Sequence, residues 1–451
     1  MHRRRGKNHR SRHDAVAVRA GVRGHYRRGL PALGRLQLMF FRTNRRKAPG
    51  IELAAWAGCG LLSLCVAGAT HSVRASPPMD TPATHRELLR DIEAAHTREL
   101  QEEGVIGAGF LVADRKGLLG RYNFGFADVE RRNRVDEDTI FHWASVTKIL
   151  TSVAAMQLVE RGLLSLDAPV VSFLPEIGAV HNRFGSMDAI TVRHLLTHSS
   201  GFRGPTWPWK DEAGWQPHEP RSWSQLVAMM PYTEIRFEPG TRYGYSNLGA
   251  IFIGRIIQTL TGDTIEAYID KNIFKPLGMY RSYFDMTPWH LAESRSHGYY
   301  AEEGGPRSIG PDFDTGITAA NGGLNAPLSD MRRFADFLAG NSETEGILQH
   351  ATLAQMFEPV FPVSSDQDRD VSVGLGFFIA DNRTPGTGDV VRWVGHSGYQ
   401  LTHRSSFMVN PAAGQVFLAA ANTVRRHGGN PSEVQLRRRL LNEFFPSLSG
   451  R

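Results

Sequence analysis

The chain has 451 residues, enough to bury a large core and to form more than one domain. Its formal net charge is +7, but residues 1–75 hold 16 Lys+Arg and 2 Asp+Glu, leaving the rest, with 36 and 43, at −7. An acidic body excludes nucleic-acid binding as the meaning of the high pI, and both cysteines, Cys59 and Cys65, fall in the leader, which excludes disulfides, a cysteine nucleophile and cysteine metal ligands from the rest.

Residues 1–38 are rich in Arg, Gly and His and lack apolar periodicity. They read as a disordered basic leader, or as sequence upstream of the true start. Residues 39–75 read as an export signal or an N-terminal anchor. Arg42, Arg45, Arg46 and Lys47 precede the uncharged, mainly apolar stretch Leu53 to Ala69, and Ala67-Gly-Ala69 and Val73-Arg-Ala75 both suit cleavage. The stretch is near the lower length limit for spanning a bilayer, so an inner-membrane tether stands beside cleavage. Either way the protein is expected to be exported, periplasmic or secreted. Residues 76–84, with three prolines, read as a linker.

The apolar residues Leu88, Leu89, Ile92, Ala95 and Leu100 lie mostly at helical spacing and predict an amphipathic helix over Glu87 to Leu100. Gly107 to Val129 predicts two strands around an Arg115-Lys-Gly turn, and Thr147 to Arg161 a helix closed by Gly162. His194 to Gly201 reads as a helix end with a glycine cap. Its His194 and His198 lack the glutamate and third ligand of a zinc site, so no metal is expected. Trp207, Trp209, Trp215 and Trp223 either line a substrate cleft or pack a long loop. Phe377–Ala380, Val390–Val394, Ser405–Val409 and Val416–Ala421 predict strands, and Gln435 to Phe445 a final helix. Strands at both ends with helices between them predict an α+β, two-domain chain. An antiparallel sheet (about 85–140 and 370–445) is flanked by N- and C-terminal helices, and a helical domain (about 165–370) is inserted within 85–445.

Three short motifs carry the chemistry. Ser145-Val-Thr-Lys148 is the chain's single S-x-x-K and Tyr245-Ser-Asn247 its single Y-x-N. His396-Ser-Gly398 follows a strand-like run and is preferred to the loop match His427-Gly-Gly429. Positions i and i+3 share a helix face, which sets an amine beside the Ser145 hydroxyl. Lys148 acts there as base, or its charge stabilises a phenolate on Tyr245, which can also protonate a leaving group. Asn247 can hold Lys148 and a substrate amide. The N–H groups of Ser145 and of Tyr399, the latter on an edge strand, can face an oxyanion, and Gly398 lets a substrate backbone approach. Taken singly, Ser145 reads as a helix cap, Lys148 as a solvated residue, Tyr245 as a core aromatic and His396 as a structural hydrogen bonder. Their occurrence together and in order favours a site.

These residues resemble the class C β-lactamase-like family, which includes penicillin-binding carboxypeptidases, D-aminopeptidases and related esterases. The resemblance extends over about 85–445. It includes Phe141 to Lys148, Leu158 to Pro169, His194 to Gly201, Glu238 to Asn247, Pro276-Leu-Gly-Met279 and Asn321-Gly-Gly-Leu324. It implies a β-lactamase/transpeptidase-like fold. It also implies Ser145 as nucleophile, Lys148 and Tyr245 as base system, Asn247 as positioning residue, and His396 and Gly398 beside the substrate. No metal or cofactor is implied, and the expected partner is a small-molecule or peptide substrate. The family's β-lactamases carry K-T-G where this chain has His396-Ser-Gly398 and then Tyr399. The lost lysine moves expectation from a β-lactamase or penicillin-binding D,D-carboxypeptidase toward an esterase or D-amino-acid peptidase. A scaffold that keeps the fold without catalysis is the alternative of another class.

Overall fold

The computed structural model describes residues 73–75, 83–206, 208, 220–342, 346–384, 388–425 and 431–449. The basic leader, the apolar stretch, most of the proline linker, Trp207, Trp209, Trp215 and His427 lie outside the described residues. No helix among the described residues is long and apolar enough to cross a membrane.

In chain order the main elements are β1 (Val73–Ala75), α1 (Ala83–Glu102), β2 (Gly107–Asp114), β3 (Gly117–Asp128), α2 (Thr147–Glu160), α3 (Val192–Leu196), α4 (Asn247–Thr261), α5 (Ala319–Gly322), α6 (Leu328–Leu338), β4 (Phe361–Ser365), β5 (Arg369–Val373), β6 (Phe378–Arg383), β7 (Val390–Gln400), β8 (His403–Asn410), β9 (Gln415–Ala421) and α7 (Pro431–Arg439). The strands form one antiparallel sheet in the order β1-β3-β2-β9-β8-β7-β6-β5-β4. The N-terminal strands therefore form one end of the sheet and the C-terminal strands the rest, joined where β2 pairs with β9, and the helical segment lies between the two sets in the chain.

Side chains alternate across a strand, and both faces of this sheet are covered. Phe110, Val112, Trp393, Met408 and Phe417 pack outward with Leu89, Ile92 and Leu100 of α1 and with Leu436, Leu440, Phe444 and Phe445 at the C-terminus. Leu111, Ala113, Val394, Phe407, Val409 and Leu418 pack inward with α2, α4 and α6. Double coverage explains why these strands read as near-continuous apolar runs. The expected final helix is split: α7 ends at Arg439, a wider turn spans Leu440–Phe444, and Phe445–Ser449 resumes the helix.

Helix α2 is the spine of the inner layer, with every residue from Thr147 to Leu158 buried. A helix apolar on all sides belongs in a core, and its polar members must then be satisfied. Thr147 donates to Ala144 O at 2.6 Å, Thr151 to Ala320 O at 2.6 Å, and Gln157 to Asn272 O and Ile347 O. Gly162, at φ +68°, follows the helix end as expected. The expected glycine cap at Gly201 is not one. α3 stops at Leu196 with Thr197 as its cap, and Gly201 turns at φ +81° with its Cα so close to Phe237 O that a Cβ would lie 2.6 Å away.

Candidate active site

Trp143, Ala144 and Ser145 bring the chain out of the strand Ile140–His142 into α2 through a tight turn. Ala144 lies at φ +47°, a conformation that costs a non-glycine residue of order 1–3 kcal/mol and persists only where surroundings enforce it. Four hydrogen bonds do so here. Trp143 N donates to Leu324 O at 2.8 Å and Trp143 Nε1 to Ala326 O at 2.9 Å. Ser405 Oγ donates to Trp143 O at 2.8 Å, and Leu324 N to Thr147 Oγ1 at 3.1 Å. The turn presents Ser145 half-buried, with its hydroxyl free of capping duty: the cap of α2 is Val146, without a side-chain bond.

The Ser145 hydroxyl instead meets the other two expected groups. Lys148 Nζ donates to Ser145 Oγ at 3.0 Å and Tyr245 Oη donates to the same oxygen at 3.0 Å. Lys148 Nζ also donates to Asn321 O at 2.8 Å and lies 5.0 Å from the centre of the Tyr245 ring. Lys148 is only 2 % exposed, and burial holds its pKa well below that of a free amine. Burial pushes the Tyr245 phenol the other way, above its usual range. Both shifts favour the uncharged pair, so of the two expected routes the neutral amine is favoured over a lysine-stabilised phenolate.

Tyr245 is aimed from behind. Ser246 caps α4, its hydroxyl accepting from Gly249 N at 3.3 Å and donating to Arg203 O at 2.8 Å. His198 accepts from Ser246 N at 3.2 Å through Nδ1 and lays its ring against Tyr245, 4.5 Å between centroids. His194 serves elsewhere, accepting from Thr191 N in the capping box of α3. Asn247 does not hold Lys148 as expected. It is the first residue of α4, its Oδ1 is buried without a partner, and the backbone carbonyl of Asn321 takes the lysine's second bond.

The third motif lies on β7. This strand pairs with β6 over Val390–Gly395 and with β8 from Val394 onward, so from His396 to Gln400 it pairs with β8 alone. The expected edge at Tyr399 is therefore local. The turn at Leu401–Thr402 is closed by the pair Gln400–His403, so alternate pairs leave the N–H groups of Ser397 and Tyr399 directed away from β8, toward the open edge. The Tyr399 side chain is 57 % exposed and stacks under Arg404 at 4.3 Å. His396 is buried, its Nδ1 2.5 Å from Ser397 O and its Nε2 without a partner. Burial lowers its pKa to about 3, so the ring is neutral.

Gly398 has a packing role in addition to the expected one. A Cβ there would lie 2.2 Å from Trp143 O and 3.1 Å from Ala144 Cβ, so the glycine seats the serine turn itself. Gly398→Ala is expected to push that turn off β7 and lower kcat about 10²-fold, the cost of misplacing a reacting group by an ångström. Steady-state kinetics on folded variant test this, and an unchanged kcat contradicts it.

Sequence reasoning missed Asn321, His198 and Ala144 as parts of the site. Asn321 acts through a backbone carbonyl and Ala144 through a backbone angle, which residue type does not announce. The Gly322-Gly323 pair was the available signal, since a Cβ on Gly322 would lie 2.5 Å from Gln400 Oε1. Trp223, the described member of the tryptophan group, donates to Glu176 at 3.1 Å and packs under Arg255 at 5.3 Å.

A family model described as Beta-lactamase matches residues 92–441. Esterase EstB of Burkholderia gladioli is 32% identical over 203 residues, 43% of this chain and 50% of that one. Lovastatin esterase of Penicillium rubens is 37% identical over 164 residues, 33% of this chain and 40% of that one. The chain thus spans half or less of the length of these two relatives. Among solved structures, the octameric penicillin-binding protein homologue from Pyrococcus abyssi superposes with a TM-score of 0.65 at 27% identity, covering 78% of this chain and 77% of that one.

Proposed function

Because the chain belongs to the beta-lactamase family, we propose that it is a serine hydrolase that cleaves small esters, and amides of D-amino-acid type, through an acyl-enzyme on Ser145. One observation carries this reading: a half-exposed hydroxyl receives hydrogen bonds at 3.0 Å from both a buried amine and a half-buried phenol. Neutral Lys148 takes the Ser145 proton as Oγ bonds to the substrate carbonyl carbon. The N–H groups of Ser145 and Tyr399 face the oxygen that becomes negative. Collapse breaks the bond to the leaving alcohol or amine, which receives its proton from Tyr245, and Tyr245 is recharged from Lys148. Water then attacks the acyl-enzyme with the same groups as base, releasing the acid.

Esters are favoured over β-lactams by the third motif. A neutral His396 supplies no cation for a β-lactam carboxylate where K-T-G would place an ammonium. The two curated relatives named as esterases support the same choice. A pre-steady-state burst with a 4-nitrophenyl ester tests the reading. One nitrophenolate per active serine, followed by slower turnover, is expected, and turnover without an acyl-enzyme under trapping at acid pH contradicts it.

Tyr245→Phe separates its role from that of the base. Loss of the phenol is expected to slow hydrolysis about 10²-fold for an alkyl ester, whose leaving alkoxide needs a proton. It should matter far less for a 4-nitrophenyl ester, which leaves unaided. Equal losses on both substrates, measured as kcat/KM, contradict a general-acid role.

We further propose export, on the basic n-region followed by the apolar stretch. Of the two cleavage sites, Ala67-Gly-Ala69 leaves β1 on the mature chain. Fractionation of the source cell checks export, with protein confined to the cytoplasm as the contrary result, and N-terminal sequencing then tells cleavage from an uncleaved anchor.

A further inference from the structure

The strand face that seats the serine turn continues past Gly398. Side chains alternate along a strand, so His396, Gly398 and Gln400 of β7 point to one face, the face against which Trp143 and Ala144 lie. Gly398 meets Trp143 O there, and Gln400, two residues on, meets His142 at the end of the strand that leads into the turn. Gln400 is half-buried and belongs to none of the three motifs. Gly322 leaves room for it, since a Cβ there would lie 2.5 Å from Gln400 Oε1, and the preceding residue, Asn321, gives the carbonyl that holds Lys148.

The groups already placed give the cleft a direction. His396 marks the end near Tyr245, with 6.1 Å between ring centroids, and Tyr245 serves the leaving group. The Tyr399 N–H faces the oxyanion. The acyl chain of a substrate bonded to Ser145 therefore runs the other way, past Tyr399 toward Gln400 and Gly322.

His142 fixes the polarity of the Gln400 amide. Its buried ring packs edge-on against Phe313 at 4.7 Å and His403 at 5.5 Å. Its Nδ1 lies 2.9 Å from Asn325 Oδ1 and its Nε2 3.2 Å from Gln400 Oε1. Asn325 Nδ2 donates to Asp285 O at 3.1 Å and to Gly323 O at 3.4 Å, so Oδ1 is the atom turned to His142, and a carboxamide oxygen only accepts. The ring proton is therefore on Nδ1. Burial, with the Arg295 charge second, lowers the His142 pKa to about 4, so Nε2 carries a lone pair near neutral pH. A lone pair facing an oxygen is repulsive, and a half-turn of the Gln400 carboxamide, which exchanges its two end atoms in place, gives Nε2 a donor instead. Oε1 then occupies the arm farther from Gly322, where the present nitrogen lies 3.8 Å from a Cβ on that glycine.

We propose that Gln400 selects the acyl group: its Oε1 accepts a hydrogen bond from a hydroxyl or ammonium on the acyl chain, and His142 is the positioning residue that keeps the amide turned that way. The substrates favoured are then hydroxyacyl and aminoacyl esters or amides over plain alkanoyl ones. An alkyl group in the same place takes Oε1 out of water without giving it a partner, which costs binding. The proposal deepens the hydrolase reading and rests on it for the direction of the acyl chain.

The test is kcat/KM for two 4-nitrophenyl esters of one shape, the 3-hydroxybutanoate and the 3-methylbutanoate, each divided by its rate in hydroxide alone. The full chain is expected to prefer the hydroxy ester about fivefold or more. Gln400→Leu should lose or reverse that preference. His142→Asn, which keeps a donor for Asn325 but is too short to reach Gln400, should lose most of it. A merely structural role slows both esters alike and leaves the ratio unmoved. No preference in the parent protein, or one that persists in Gln400→Leu, overturns the proposal. If His142→Asn does not fold, Gln400→Leu decides alone. Ligand-observed NMR of the anilides of the same two acids on Ser145→Ala reads the selection without turnover. Protein that hydrolyses neither ester yet binds the hydroxy anilide better, through Gln400, supports the selector and counts against the hydrolase reading alone. Protein that hydrolyses neither ester and binds both anilides equally overturns the selector as well.

Discussion

Ser145→Ala is expected to lower kcat/KM for every accepted ester by about 10³-fold or more, with the fold unchanged. Removing a nucleophile that works with its base as one unit removes the whole covalent route, and single losses of this kind approach the loss of the entire constellation. The structure gives no second serine the same company, since Ser145 alone among the described residues accepts from both Lys148 and Tyr245. Alanine fits the half-buried position and leaves the bonds that hold the turn, which run through Trp143, Thr147 and Ser405, untouched. Residual activity within tenfold of the parent protein on any ester would place the nucleophile elsewhere.

Lys148→Arg should cost about 10³-fold, within the range for a lost general base, although it keeps the positive charge. A guanidinium does not give up its proton in a protein, so it cannot accept one from Ser145. A charge-only role for Lys148, as in the phenolate route, would survive this change in large part. The pH profile gives a second check. The working form is the neutral amine, so activity is present above the lowered pKa of Lys148 and is lost as pH falls through it. The neutral His396 and His198, both held down by burial, add no inflection near the ordinary histidine value. Stability carries the same signature. The unfolded chain keeps the lysine protonated up to about pH 10.4 while the folded one does not, so stability rises with pH between the two values. Lys148→Met is accordingly expected to unfold at higher temperature than the parent at neutral pH while losing activity. A lower melting temperature contradicts the assigned uncharged state.

The parts of this site written in side-chain chemistry were legible in the sequence, and the parts written in backbone were not. Ser145, Lys148 and Tyr245 announce themselves by residue type and spacing, and the structure brings all three to one oxygen. The strands were legible because two-sided burial makes them long apolar runs, although their register and the local edge after Gly395 depend on where β6 ends. The positive φ of Ala144 and the carbonyl of Asn321 depend on contacts made across nearly two hundred residues of chain, and no local pattern encodes them. Asn247 shows the converse. Its residue type suggested a lysine partner, but α4 begins at that residue and its Oδ1 is left without a hydrogen-bond partner. Gly398 was singled out correctly as a place needing no side chain, for a contact with Trp143 O that only the packed sheet creates.

The most direct test of the central claim is the intact mass of the protein after exposure to a fluorophosphonate, with Ser145→Ala and heat-unfolded protein alongside. The account predicts a single adduct on folded parent protein, mapped by peptide fragmentation to Ser145 and missing from both controls. An adduct that persists in Ser145→Ala, or folded parent protein that stays unlabelled while it hydrolyses esters, would contradict it.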